Sequence, residues 1–346
     1  MEDRIAPGAR PPTMEEVAAR AGVSRALVSI VFRNQPGASE ETRRRVRDVA
    51  SMLGYAPDQR ARLLGRKRSG QLGVAFGLQH GFHGELVEAM YAPAEHAGYE
   101  LVLTGFAPSR SEGRAIDDLL AYRCEAVIVV GPTMRTQDLV ALSKQLPTVV
   151  LARRVPGGAV DVVRTDDIDG ARQATQHLIA QGHNRILHID GGRAPGAAER
   201  RRGYRQAMVA AGLDPMPFVS GGLTEIDGAR AGSTVAATLH RRRGKPSAAF
   251  AFNDQCALGL LQVIRAAGFT VPDDLAVVGY DDSRVARLPW VELTTIGQNV
   301  QELAKKAVDQ AITRTHHPTD RRETIVAPEL VVRSTSRTHG GVSALT

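Results

Sequence analysis

The chain has 346 residues, 43% of them hydrophobic and 23% charged, a globular composition too long for one small core, so more than one folding unit is expected. Its two cysteines, Cys124 and Cys256, cannot build a disulfide framework and stand in no metal-ligand spacing, so both read as small buried apolar residues, and no apolar run approaches membrane-spanning length. The net charge of +7 is uneven: residues 1–68 hold fourteen Lys/Arg against eight Asp/Glu, or +6, leaving +1 for the remainder, so the basic end is the one suited to nucleic acid.

Residues 1–12, MEDRIAPGARPP, carry charge and proline without an apolar core; they read as a disordered lead and not an export signal, and a cytoplasmic protein is expected. Thr13 with Glu16 forms a capping box, in which hydroxyl and carboxylate each satisfy a backbone amide at a helix start. Met14, Val17, Ala18 and Ala21 mark the apolar face, and Gly22-Val23 supply a tight turn and a plug between helices. Ser24 caps a second helix that buries Val28, Val31 and Phe32 and leaves Ser24, Arg25, Ala26, Ser29, Ile30 and Arg33 on the other side, a face suited to a major groove. Ser39 caps a third, with Glu40 and Glu41 in its first turn, Val46, Val49, Ala50 and Leu53 at helical spacing, and Gly54 at its end. Taken alone, these helices suit equally a generic three-helix bundle with a solvated basic face.

The strings EEVAARAGVSRALVS, ETRRRVRDVASMLGYAPD and ARLL resemble the DNA-binding head of the lactose-repressor family of bacterial regulators. The resemblance implies that the helix after Ser24 is a recognition helix whose first residues reach base edges while the first helix crosses the backbone. Arg25 would pair bidentately with a guanine, Ala26 would meet a thymine methyl, and Ser24 and Ser29 would donate to phosphates. Where the family commonly reads Thr-Val-Ser-Arg, this chain reads Leu27-Val28-Ser29-Ile30; Ile30 offers only apolar contact, with Arg33 as a replacement charge, so the operator is expected to differ. In Pro57 to Gly65, Asp58 can cap one helix too short and polar to be stable alone. The resemblance implies that two such hinge helices pair in the minor groove and wedge Leu64 between base steps, followed by Arg66, Lys67 and Arg68 on phosphates. An ordinary linker with a buried Leu64 is the other reading.

From Gln71 onward, short apolar runs alternate with helical stretches, which signals a parallel sheet. Strands are predicted at LGVAF (72), ELVLTG (100), AVIVVG (126), TVVLA (148), RILHID (185), AAFAFND (248) and LAVVGYDD (275), with helices from Gly84, Ser111, Thr136, Ile168, Ala198, Thr224, Asp254 and Gln298. The expected fold is an N-terminal all-α helix-turn-helix head plus an α/β sensor of two doubly wound lobes. Over 71–337 the sensor resembles periplasmic sugar-binding proteins, which implies three crossovers between lobes and a ligand cleft. The boundaries read as lead 1–12, DNA-binding domain 13–56, hinge helix and linker 57–70, effector-binding and dimerisation domain 71–337, and tail 338–346.

Such sheets bind ligands beyond the carboxyl ends of their strands. LAVVGYDDS delivers Asp281 there, a hydrogen-bond acceptor for ligand hydroxyls in relatives; its alternative role is a turn cap. AAFAFNDQ presents Asn253, which can donate and accept at once, with Asp254 as the expected helix cap. Arg200 in ERRRGYRQ matches the family's R-x-x-G-[YF] signature, whose arginine clamps ligand through its planar fork. His83 stands where relatives carry an aromatic, and it either meets ligand or is satisfied at a helix start. Gln298 either points into the cleft or caps a helix. Ala152 and Leu223 replace an aspartate and an aromatic of relatives, so a typical sugar site is altered.

The resemblance implies a sequence-specific DNA-binding transcriptional regulator, a repressor binding a palindromic operator as a homodimer, controlled by a small-molecule effector, a sugar or derivative, in the interlobe cleft. The tail lacks the heptads of a tetramerising helix. No cofactor, metal, catalytic residue or membrane partner is expected, since the chain has no P-loop, nucleophile motif or metal cluster. The alternatives are a ligand-independent repressor with a vestigial cleft and a solute-binding protein.

Overall fold

The computed structural model describes residues 10, 12–55, 68–158, 160–241, 244–317 and 321–337. The chain divides into two compact units, Met1–Ser69 and Gly70–Thr346. The hinge positions Asp58, Leu64, Arg66 and Lys67 lie outside the described residues, as do 1–9, 11 and the tail from 338.

In the first unit, α1 (Met14–Ala21), α2 (Arg25–Phe32) and α3 (Glu40–Leu53) bury Val17, Ala18, Ala21, Val28, Val31, Val46, Val49 and Ala50 against one another. Local chemistry sets the ends. Thr13 and Glu16 form the capping box on α1, and Ser24 and Ser39 accept from Leu27 N and Thr42 N at the starts of α2 and α3. Gly22 and Gly54 close α1 and α3 at φ 66 and 67, backbone that a Cβ disfavours.

The second unit is built on two six-stranded sheets. In lobe 1 the order is β11-β5-β4-β3-β1-β2, with β1 Gln71–Gly77, β2 Glu100–Phe106, β3 Ala126–Val130, β4 Thr148–Leu151, β5 Asp161–Thr165 and β11 Glu323–Val326, all parallel. In lobe 2 it is β12-β10-β9-β8-β6-β7, with β6 Ile186–Asp190, β7 Val219–Ser220, β8 Ala248–Ala251, β9 Ala276–Asp281, β10 Thr294–Gly297 and β12 Glu329–Val331; only β12 runs antiparallel. Helices cover both faces. In lobe 1, α4 (Gly81–His96) and α11 (Val300–His316) pack on one side, α5 (Glu112–Ala121) and α6 (Thr136–Gln145) on the other. In lobe 2, α7 (Asp167–Ala180) and α8 (Ala197–Ala210) oppose α9 (Glu225–Leu239) and α10 (Asp254–Ala266). The chain changes lobe after β5, after β10 and after β11, which gives the three crossovers.

Strands buried on both faces read as near-continuous apolar runs, and β3, β4 and β8 are fully buried. Five short strands were not predicted: β5, β7, β10, β11 and β12. In β5 the charges explain why. Buried Asp161 is gripped at both oxygens by Arg314 (2.7 and 2.8 Å), and Arg164 donates to Glu323 (2.6 Å), so charged residues sit at the start of the strand and within it without an unpaired cost. Helix starts also differ. The α4 helix begins at Gly81, not Gly84, and α11 begins at Val300 with Asn299, not Gln298, as its cap. Among the described residues no helix is long and apolar enough to cross a membrane.

Candidate effector cleft and nucleic-acid face

In the head, burial of Val28 and Val31 turns the opposite side of α2 outward. Ser24, Arg25, Ala26 and Arg33 are exposed, whereas Ser29 and Ile30 are half-buried. Ser24 Oγ is engaged as the helix cap (3.2 Å from Leu27 N). Arg25 Nε lies 3.0 Å from Glu15 Oε1 on α1. Ser29 Oγ accepts from Arg33 Nε at 2.9 Å, and Ile30 lies against Gly37. Arg43 is buried where a basic run suggested a solvated face: Nη2 donates to Gln35 O and Nη1 to Asn34 Oδ1 (3.4 Å), holding the loop that follows α2. Its position three residues before Val46 and seven before Ala50, on the buried face of α3, was the available signal.

In the second unit the expected residues His83, Arg200, Asn253, Asp281 and Gln298 line one cavity of about 50 Å³ between the lobes. Lobe 1 contributes His80, Phe82, His83, Gly131 and Ala152, none of them carboxylate, Lys or Arg; lobe 2 contributes Arg200, Asn253, Asp281, Phe252, Leu223 and Gln255. Asp281 closes β9 at φ 127. Gln298, on a crossover, donates from Nε2 to Asp281 Oδ1 (2.6 Å) and accepts at Oε1 from Thr165 Oγ1 (2.8 Å). Burial pushes the Asp281 carboxyl well above the usual range; Arg200 opposes that rise and nearby Asp254 and Asp167 add to it.

Arg200 is buried in a tight setting. Nε donates to Asp167 Oδ1 (2.9 Å), Nη1 donates to Phe252 O (2.6 Å), and the guanidinium stands 3.5 Å from the Tyr280 ring centroid and 4.6 Å from that of Phe252. The helix cap expected at Asp254 is Asn253 instead. Asn253, extended at φ −146, is the cap of α10, accepting from Cys256 N (2.8 Å) and donating to Leu223 O (3.0 Å). Asp254 is no cap, because it already lies inside the helix. Its buried carboxylate accepts from Ser283 N and Oγ (2.8 Å each) and Thr295 Oγ1 (2.6 Å), and burial pushes it up to about 6.

His83 packs against Gly131, where φ is 53 and an added Cβ would stand 2.7 Å from the ring. Burial pushes His83 down to about 3, helped by His80 with ring centroids 4.4 Å away; its Nδ1 has no hydrogen-bond partner, the nearby Gly77 backbone offsetting only part of the fall. His80, Phe252 and Gly131 were not singled out in the sequence, though all lie at or just beyond strand ends.

A second cavity, of about 530 Å³, shares Asp281 and Gln298 with the first. Beside it α4 reaches across to lobe 2: Glu85 Oε1 accepts from Arg284 N (3.0 Å), Glu88 pairs with the Arg284 guanidinium, and Gly81 N donates to Gln255 Oε1 (3.4 Å). Among the described residues no three His, Cys, Asp or Glu side chains gather as a metal site.

Comparison with known proteins finds a family match within each unit. Residues 13–58 match the family described as bacterial regulatory proteins, lacI family, and residues 175–336 match a periplasmic binding protein-like domain. The HTH-type transcriptional regulator GalR of Escherichia coli K12 is 33% identical over 327 residues, 93% of this chain and 94% of that protein. Two solved structures align at similar extent. One is a complex of the transcriptional regulator CelR with cellobiose (30% identity, TM-score 0.69, 94% of this chain and 99% of that one). The other is a lac repressor dimer bound to operator and the anti-inducer ONPF (27% identity, TM-score 0.79, 95% and 100%).

Proposed function

We propose a function from one premise: the chain belongs to the lacI family of bacterial regulatory proteins, and is a DNA-binding transcriptional regulator with a periplasmic-binding-protein-like effector domain. In our reading it is a cytoplasmic repressor. The head of residues 13–56 reads a palindromic operator through Arg25, Ala26 and Ile30, with Ser24, Ser29 and Arg33 toward phosphates and Leu64 in the minor groove. The domain of residues 71–337 dimerises the chain and takes a sugar or sugar derivative between its lobes.

The observation that carries this reading is the convergence of His83, Arg200, Asn253, Asp281 and Gln298, from two lobes and a crossover, on one cavity. A carboxylate and an amide at strand ends, with a guanidinium from α8, suit a ligand rich in hydroxyls. Homodimerisation is supported by the exposed apolar side chains Leu78, Tyr91 and Leu103 beside the edge strand β2, and by the dimer of the lac repressor. Ligand and operator are then linked through the lobes: an effector favouring one lobe arrangement shifts the affinity of the paired heads.

One observation favours a second reading, a regulator independent of effector: the cavity is far below the roughly 300–1,000 Å³ of ordinary ligand sites, and Arg200 and Asn253 are already engaged within the protein. One measurement tests the regulator common to both readings and a second separates them. Selection of bound duplexes from a random pool should enrich a palindrome, and no enrichment at any salt would refute the regulator. Thermal unfolding against a panel of sugars should show a shift for at least one, since a ligand at 100 times its Kd adds about 2.7 kcal/mol; no shift with any sugar selects the effector-independent form.

A further inference from the structure

We infer that Glu15, on the first helix of the head, is a positioning residue for base recognition, setting the plane of Arg25 so that its two terminal nitrogens face a guanine. The inference rests on the reading of Arg25 as a base reader.

Of the three helices in the head, α1 and α3 carry acidic residues in their first turns and α2 carries none, although its N-terminal dipole is positive and its first residue is an arginine. The acid that serves this helix comes from its neighbour. Glu16 completes the capping box of α1 with Thr13, so that task does not fall to Glu15. Glu15 instead forms an ion pair with Arg25, its Oε1 standing 3.0 Å from Nε, with both side chains more than half exposed.

An arginine can present either its Nε/Nη edge or its two Nη groups to a planar pair of acceptors. With the Glu15 carboxylate standing beside Nε, the edge left clear for O6 and N7 of guanine is the Nη1/Nη2 fork. The pair also confines a long side chain that would otherwise sample many rotamers, so less freedom is lost when DNA binds. Against this, a carboxylate at a surface that meets phosphates weakens binding to every duplex alike. Glu15 thus trades general affinity for discrimination at one base pair, a pattern that a purely structural residue would not produce.

The test uses the full chain and selection from a random duplex pool, with wild type, Arg25→Ala, Glu15→Ala and Glu15→Gln compared by the preference at each base pair and by affinity for random duplex. Arg25→Ala identifies the guanine position. Glu15→Ala is expected to lower discrimination at that same position about tenfold, leave the others intact and tighten binding to random duplex. Glu15→Gln, which keeps an oxygen beside Nε, restores most of the discrimination. Unchanged preference in Glu15→Ala, or a change confined to a different position, overturns the inference while the regulator reading stands. Absence of any enriched sequence with wild type overturns both.

Discussion

Gln298 donates to Asp281 at 2.6 Å, so a residue of the crossover into lobe 1 holds a strand-end carboxylate of lobe 2. Among the described residues this is the single hydrogen bond to the Asp281 carboxylate, and it lies in the wall common to the two cavities. Asp281→Asn keeps an oxygen for Gln298 and removes a buried charge. It should therefore raise the melting temperature at pH 8 and abolish the shift that any sugar gives with wild type. The sign follows from the raised carboxyl: the cost of burying this acid is full above its folded-state value and is lost progressively as pH falls from there toward the unfolded value of about 3.9, so the gain should shrink at pH 5. A variant that melts lower than wild type at pH 8 would contradict this account.

His188, within the core of lobe 2, stacks on Phe250 (4.9 Å between centroids) and Tyr204 (5.4 Å), bonds Phe250 O through Nδ1 (3.0 Å), and is pushed down to about 4 by burial. The unfolded chain takes up this proton near pH 6.5 and the folded one only near pH 4. Stability is therefore lost as pH falls between those values, by up to roughly 3 kcal/mol. Asp254, raised to about 6, acts in the opposite sense over part of that window. Urea midpoints at pH 7 and pH 5 should accordingly differ less in His188→Phe than in wild type, and an equal difference would acquit His188.

The Arg200–Asp167 pair is almost fully buried. Arg200→Ala strands Asp167 and empties the space between Tyr280 and Phe252, and should cost about 3–5 kcal/mol. Arg200→Met with Asp167→Asn removes both charges and keeps the volume. Calorimetry should find the double variant more stable than Arg200→Ala, and failure to recover would mean that the guanidinium's own contacts with Phe252 O and the Tyr280 ring, rather than the stranded charge or the emptied space, dominate.

A cavity of about 50 Å³ admits a sugar only if the lobes part, and the contacts of Arg284 with Glu85 and Glu88 resist that. Glu85→Ala with Glu88→Ala removes both contacts, the first of which is made by the Arg284 backbone, and should raise the radius of gyration in solution without ligand. Small-angle scattering with and without a stabilising sugar measures this directly, and identical curves for variant and wild type would show that the clasp does not hold the lobes.

The head was legible because its signals are local: Thr13, Ser24, Ser39, Gly22 and Gly54 each act within one turn of chain. Asn253, Asp281 and Gln298 were legible because a strand that ends in a polar side chain points to its sheet's carboxyl edge, whichever order the strands take, whereas Arg200 and His83 lie on helices and were legible only through the family resemblance. What escaped depends on partners distant in sequence. Nothing near Asp161 announces Arg314, more than 150 residues on, and nothing near Asp254 announces Thr295. Asn253 and Asp254 are adjacent with similar capping propensity, so only the backbone decides which one caps.

The three crossovers have a consequence for how the protein is made. The core of lobe 1 includes Leu303, Ala307 and Val308 of α11 and Val326 of β11, and lobe 2 takes β12 from residues 329–331. A nascent chain ending at residue 297 therefore owns neither lobe, whereas the hydrophobic core of the head needs nothing beyond Tyr55. At about 5–20 residues per second, the head precedes its sensor by roughly 15–60 s. For that interval on the ribosome, the basic end of the chain is finished while the part that would govern it has no structure to govern with.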